Sequence, residues 1–190
     1  MIRDAGRSTV RVVPVLVYID GNELRAAELR QILPEVELRV DALSTGFSTS
    51  APEPGQRARD KVLAHPVSAA AFAEAVDLTT MDGKSLRLEL DSENETRFCK
   101  WWRETPVRLV LVVAMRRAPG AEIELLTGAC EGQIASKPAG PHVLGWDRLF
   151  VPDGDDRTLA QLAAAGEIAR FRRAVYAAVG GALGAAPPAP

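Results

Sequence analysis

Hydrophobic and polar positions change period several times along the chain, and each change marks an element. Residues 10–19 (VRVVPVLVYI) form a nearly continuous β-branched run, the pattern of a strand buried on both faces. Pro14 cannot donate to a sheet ladder, so it places a bulge or an edge within that run. The run ends at Asp20-Gly21-Asn22, after which Ala26, Leu29, Ile32 and Leu33 recur at helical spacing. Asn22 is suited to cap that helix and Pro34 to end it, and residues 36–43 (VELRVDAL) then alternate as a second strand. The opening unit therefore reads strand, tight turn, helix, strand.

Residues 44–55 are rich in Ser, Thr, Gly and Pro and read as a loop, and residues 56–64 as a short helix. Residues 66–75 fit an apolar strand or an alanine-rich helix equally well. Asp82-Gly83 makes a turn before residues 86–90 (LRLEL), which alternate as a strand; residues 91–95 are polar, and residues 97–103 (RFCKWWR) suit a short helix. Residues 107–115 and 122–126 flank Pro119-Gly120 as the arms of a β-hairpin, and residues 129–135 extend the second arm. After a loop over 140–154, Thr158 and Gln161 have capping-box spacing. Residues 159–179 then read as one long amphipathic helix with Leu162, Ile168, Phe171, Val175 and Val179 on its apolar stripe.

This order predicts an α/β fold: one domain with a mixed twisted sheet flanked by helices, its ligand site where loops open at strand ends. The domain is expected over residues 10–180, with a short lead at 1–9 and a disordered Ala/Pro tail at 181–190. The chain has 190 residues, enough for one sizeable core. A net charge of −2 gives no reason to expect a nucleic-acid or membrane surface. Cys99 and Cys130 lie far apart and His65 and His142 are isolated, so no zinc spacing is present and buried thiols in a reducing compartment are expected. The N-terminal apolar run is too short to span a membrane and lacks a small-residue cleavage site, leaving the cytoplasm as the default location.

Three stretches carry candidate chemistry. Asn22 opens a helix whose free N–H groups and positive dipole end suit a phosphate, with the Arg25 cation one turn in. The bland reading is an ordinary cap beside a solvated arginine. Gly145-Trp146-Asp147 offers a close-approach backbone, an aromatic face and a carboxylate, which is either a grip for a flat polar ligand or a turn with a core tryptophan. Lys100-Trp101-Trp102-Arg103 is either an aromatic-plus-basic patch or a helix burying two tryptophans.

Taken together, Gly21-Asn22-Glu23-Leu24-Arg25, Gly132-Gln133-Ile134 with Pro138-Ala139-Gly140, and Gly145-Trp146-Asp147-Arg148-Leu149-Phe150-Val151-Pro152-Asp153-Gly154 through Thr158-Leu159-Ala160 resemble the inosine triphosphate pyrophosphatase (Ham1-like) family. The resemblance implies an ITPase/Maf-like α/β homodimer. It would hydrolyse a non-canonical or modified purine nucleoside triphosphate to the monophosphate and pyrophosphate, with Mg²⁺ as cofactor. It implies that Asn22, Arg25 and Arg172 meet the phosphates and that Leu144, Gly145, Trp146 and Asp147 line the base pocket. Glu74 and Asp77 would carry catalysis and hold the metal.

The chain departs from the family pattern at several points. Arg25 stands where a lysine is usual, and a further lysine of the family falls near Gly166. Arg170-Phe171-Arg172 replaces Ser-His-Arg, and Ala73-Glu74-Ala75-Val76-Asp77 replaces an Asp-Asp-Ser-Gly-like segment. No carboxylate stands in the Ser44-Thr45 region, and Leu144 replaces an aromatic residue. These departures leave three readings open: an active pyrophosphatase, a catalytically degenerate nucleotide-binding pseudoenzyme acting as sensor or partner subunit, and a fold recruited to another phosphate ester.

Overall fold

A computed structural model describes residues 13–44, 47–66, 68–87 and 94–184. The first strand, β1 (Val15–Ile19), alternates its side chains between two cores. Leu16 and Tyr18 enter one, and Val17 and Ile19 the other. Helix α1 (Glu23–Ile32) starts at Asn22, whose Oδ1 accepts from the Arg25 N–H at 3.0 Å, so the expected cap is present. β2 (Glu37–Asp41) then pairs parallel to β1 and completes the anticipated strand–helix–strand unit. Residues 10–12 of the expected first strand lie outside the described residues.

The short helix expected over 56–64 is present, and the ambiguous stretch after it leads into a long strand. Helix α2 (Pro54–Ala64) leads to β3 (Ala70–Thr80), which pairs parallel to β1 and antiparallel to β4 (Pro106–Arg116). Residues 70–75, open between strand and helix on pattern alone, are therefore strand. Ser85 bridges back to Thr79, while residues 88–90 of the expected 86–90 strand lie outside the described residues. α3 (Glu95–Trp102) precedes β4, and β5 (Ile123–Ile134) closes the expected hairpin.

A 3-10 segment (His142–Arg148) follows, and β6 (Phe150–Pro152) adds to the edge of β5. The sheet thus has six strands in the order β2-β1-β3-β4-β5-β6, parallel at one end and antiparallel at the other. α2 packs on one face over Val17, Ala71, Ala73 and Ala75. α1 and α5 (Arg170–Ala182) pack on the other face over Leu16, Phe72, Leu111 and Val113.

Two expectations at the C-terminal end need correction. The single helix over 159–179 is broken into α4 (Leu159–Ala164) and α5. Gly166, at φ 77°, takes a left-handed conformation that stops helix propagation, and the apolar stripe simply resumes beyond it. The Thr158–Gln161 capping box itself is present at the start of α4. α5 also runs through Ala182, so Gly181 and Ala182 are helical rather than the start of a tail, and residues 185–190 lie outside the described residues.

Candidate active site

β3 continues past the point where β1 stops. The parallel register ends at Ile19 opposite Ala73, leaving the β3 edge at Glu74 and Val76 without a neighbouring strand. Bare carbonyls there need donors, and α2 supplies them: Lys61 Nζ donates to the Glu74 carbonyl at 3.2 Å and Arg57 Nη2 to that of Val76 at 3.3 Å. A cleft of about 410 Å³ opens at this step in the sheet, bounded by the β1–α1 turn, α2, the β3 edge and the 3-10 segment. Such a step, beyond the carboxyl end of a parallel strand, is where ligands enter sheets of this kind.

The turn that floors the cleft is shaped by two residues. Asp20 sits at φ 57°, and its Oδ2 meets Lys61 Nζ at 2.7 Å. A Cβ on Gly21 would fall 2.3 Å from the Tyr18 ring, so only glycine fits there. On the opposite wall, Gly145 at φ 48° and ψ −120° breaks the 3-10 segment and sets Leu144, Trp146 and Asp147 at the cleft. Trp146 is half-buried and meets Phe98 edge-on, with centroids 5.6 Å apart. It is thus both a wall of the cleft and part of the apolar cluster behind it.

The residues expected at phosphate and base all line this cleft, but three of them face one another. Arg172 Nη2 donates to Asp147 Oδ1 at 2.9 Å, Arg25 pairs with the other Asp147 oxygen, and Arg25 Nη1 meets Glu28 Oε1 at 2.7 Å. All four residues are at most 4% exposed. Two cations and two anions form a closed, neutral cluster tying the 3-10 segment to α1 and α5. Arg25 and Arg172 therefore border the cleft with their charges already matched, and Asp147 has no open carboxylate for a base. Arg172 Nε remains without a partner among the described residues. Asn22 lines the cleft and its Nδ2 donates to the Val143 carbonyl at 3.4 Å.

The expected pairing of Glu74 with Asp77 is not what the strand builds. Successive residues of β3 point to opposite faces, so positions three apart diverge. Glu74 borders the cleft on the α5 side and accepts from Tyr18 at 2.5 Å and Tyr176 at 2.8 Å. Asp77 faces α2, away from the cleft lining. It is held by the Leu78 N–H at 2.9 Å, Ser85 Oγ at 3.1 Å and Arg57 Nη2 at 3.7 Å. Among the described residues no group of three or more His, Cys, Asp or Glu side chains is placed to hold a metal.

A family model described as the Ham1 family matches residues 95–174, the span that carries Gly132-Gln133-Ile134, Gly145-Trp146-Asp147 and Arg172. Over that span the chain is similar to the Ham1 family. The dITP/XTP pyrophosphatase of Oceanobacillus iheyensis is 36% identical over 77 residues, covering 38% of this chain and 39% of that protein. The dITP/XTP pyrophosphatase of an Anaeromyxobacter species is 30% identical over 153 residues, covering 74% of this chain and 62% of that protein. The chain thus aligns with less than two thirds of the length of either relative. Its fold is that of the solved HAM1 protein from Coxiella burnetii, with a TM-score of 0.62 at 18% identity over 86% of this chain and 94% of that one.

The cations of the cleft that a pattern reading missed come from residues 44–103. Arg57 and Lys61 stand four apart on α2 and face the same way, and Arg87 reaches in beside them. Arg57 Nη1 donates to the Pro52 carbonyl at 2.5 Å, and Arg87 Nη1 to the Ala51 carbonyl at 2.7 Å. Burial lowers the Arg57 pKa, and the nearby Asp77 charge opposes that shift. The i, i+4 spacing of two basic residues on a short helix was the available signal.

Lys100-Trp101-Trp102-Arg103 falls elsewhere. α3 is not part of the cleft lining, Trp101 is 69% exposed under the Arg97 guanidinium, and Trp102 packs towards Phe98. Neither reading of that segment holds in full. Cys99 is buried, Cys130 is partly exposed, and both are free thiols. No described helix is long and apolar enough to cross a membrane.

Proposed function

We propose that this Ham1-like chain hydrolyses a non-canonical or modified purine nucleoside triphosphate to the monophosphate and pyrophosphate. The observation that carries the reading is the asymmetry of the cleft. One wall presents Lys61, Arg57 and Arg87; the other presents Leu144, Gly145 and Trp146; Glu74 lies between them. A triphosphate needs several cations, a purine needs a flat apolar surface, and a hydrolase needs an acceptor near the phosphorus that is attacked. The matched curated relatives, named as dITP/XTP pyrophosphatases, support the same substrate class.

In this reading the base lies along Trp146 and Leu144, and the unmatched Nε of Arg172 offers it a donor. The phosphates run across the α1 N-terminus, where Asn22 caps the helix, towards Lys61, Arg57 and Arg87. Lys61 exchanges Asp20 for a phosphate oxygen. Glu74 orients the water that attacks the α-phosphorus and accepts its proton, and pyrophosphate leaves.

Asp20 and Glu74 stand side by side at the ends of adjacent parallel strands and offer the hard oxygens that Mg²⁺ prefers. A cation bound there would neutralise charge on the leaving pyrophosphate. The same reading expects a homodimer in the cytoplasm, which light scattering after gel filtration and cell fractionation test.

The decisive experiment measures pyrophosphate release from a panel of purine nucleotides with Mg²⁺ or Mn²⁺, using Glu74→Gln as control. Release that is selective for deaminated purines and reduced to a small residual rate in Glu74→Gln supports the reading. Measurable nucleotide binding with no release by the unaltered protein overturns it in favour of a sensor or partner subunit.

A further inference from the structure

The chain contains two tyrosines, and both hydroxyl groups end on the same carboxylate. Tyr18 comes from β1 and donates to Glu74 Oε1 at 2.5 Å; Tyr176 comes from α5 and donates to Oε2 at 2.8 Å. Neither ring has room to turn away. Tyr18 stacks on Phe72 with centroids 4.6 Å apart and planes 7° off parallel, and Gly21 closes over its edge. Tyr176 is fully buried in the core between α1, α5 and the sheet. Burial, and next the charge of Glu74, push both phenols well above their ordinary value, so both stay protonated as donors.

Resting on the function proposed above, we propose that Tyr18 and Tyr176 are positioning residues. Their hydroxyl groups fix both oxygens of Glu74 in one orientation at the cleft. Neither tyrosine touches the reacting atoms; each acts through Glu74. The arrangement answers a gap in the site. Asp77 faces the other side of β3, so no second carboxylate braces Glu74 along its own strand. A lone carboxylate on a strand edge has rotational freedom about its side-chain bonds, and a pair of rigid donors removes it. Two donors from separate elements also couple the carboxylate to the packing of β1 against α5.

Lys61 of α2 donates to the Glu74 carbonyl, and Asp20, Arg25, Asp147 and Arg172 line the same cleft. Arg172, Arg25 and Glu28 also act on the Tyr176 hydroxyl that Glu74 accepts from. The residue opposite on β4, Val113, is apolar. A change in Glu74 behaviour on removing a hydroxyl must therefore be separated from this constant background.

The test uses Tyr18→Phe and Tyr176→Phe, which keep the rings and remove only the hydroxyls. In the unaltered background each is expected to lower kcat about tenfold, the loss of one hydrogen bond to a charged group, with KM changed less than threefold. In a Glu74→Gln background the same two changes should cost nothing further, which a merely structural role would not produce.

A readout free of turnover is the ¹³C chemical shift of the Glu74 carboxylate at one fixed pH, assigned by its loss in Glu74→Gln and expected to change in each phenylalanine variant as a hydroxyl donor is removed. If that resonance is unmoved in both variants, or if the phenylalanine changes cost as much in the Glu74→Gln background as in the unaltered one, the inference is overturned. A protein that releases no pyrophosphate refutes the proposed function instead, and the resonance still decides whether the hydroxyls hold the carboxylate.

Discussion

Asp147 is the hinge of the buried charge cluster, and Asp147→Asn tests whether that cluster holds the cleft together. The side chain is 2% exposed and pairs with two arginines that are themselves 3% and 2% exposed. With Glu28 the set balances, two positive charges against two negative. Asparagine keeps the shape and one acceptor but leaves a net positive charge in a buried space. Breaking a buried pair in this way costs about 3–5 kcal/mol, a large share of the roughly 5–15 kcal/mol that holds a domain folded. For a chain of this length, each kcal/mol lowers Tm by about 2–4 °C, so a drop of about 6–20 °C is expected.

The assay is urea and thermal denaturation of the parent, Asp147→Asn, Arg172→Met, and the double variant. Removing Arg172 as well leaves Arg25 with Glu28, a balanced pair. The double variant should therefore lose less than the two single losses added together. A loss below about 1 kcal/mol in Asp147→Asn would mean that water or a neighbouring side chain already screens the cluster. Strict additivity in the double variant would refute charge balance as the reason for the arrangement.

Two further outcomes follow from the same geometry. Because Tyr18 and Tyr176 are the chain's two tyrosines and both are raised by burial, phenolate absorbance at 295 nm should stay flat through pH 10 and appear only with loss of the far-ultraviolet circular dichroism signal. The folded state keeps two protons that the unfolded chain gives up above about pH 10, so stability is intact below that pH and falls as pH rises, by about 2.7 kcal/mol per unit; phenolate forming near pH 10 in a folded protein would contradict the burial. Lys61→Met should weaken triphosphate binding by calorimetry more than tenfold while leaving nucleoside binding within threefold, since Lys61 serves the phosphates and its loss uncovers the Asp20 charge. Equal losses for both ligands would remove Lys61 from the phosphate wall.

Much of the fold was legible because local chemistry and tertiary packing agreed. The Asn22 cap, the Thr158–Gln161 capping box and the β4–β5 hairpin each rest on residues close in sequence, and each is present. Where the expectation failed, a short-range signal was outvoted. Gly166 sits inside a continuous apolar stripe, and the stripe's period gave no sign that the backbone turns left-handed there. Residues 70–75 alternate alanine with larger residues on two buried faces, so period could not separate strand from helix; pairing with both β1 and β4 decides it.

The site was legible in position and not in role, and the reason is charge balance over long separations. Nothing local to Arg25 shows that Asp147, more than a hundred residues on, lies against it, nor that Arg172 shares the same carboxylate. Once those three cancel, the cleft needs its positive wall from elsewhere, and α2 provides it from the stretch with the weakest pattern. The strand parity that separates Glu74 from Asp77 has the same consequence on the acidic side, where two tyrosines do the bracing that a neighbouring carboxylate's metal would otherwise do. Single-residue comparison scores Arg25 and the 73–77 segment as departures. Taken as one set, they are a redistribution: the cleft's cations stand on α2 while Arg25 and Arg172 close on Asp147, and the Glu74 carboxylate is fixed by hydroxyl groups. The redistribution stands or falls on Glu74, because the cations and the aromatic wall can bind a nucleotide without it, but among the described residues nothing else between the two walls offers a carboxylate held by two tyrosine hydroxyls.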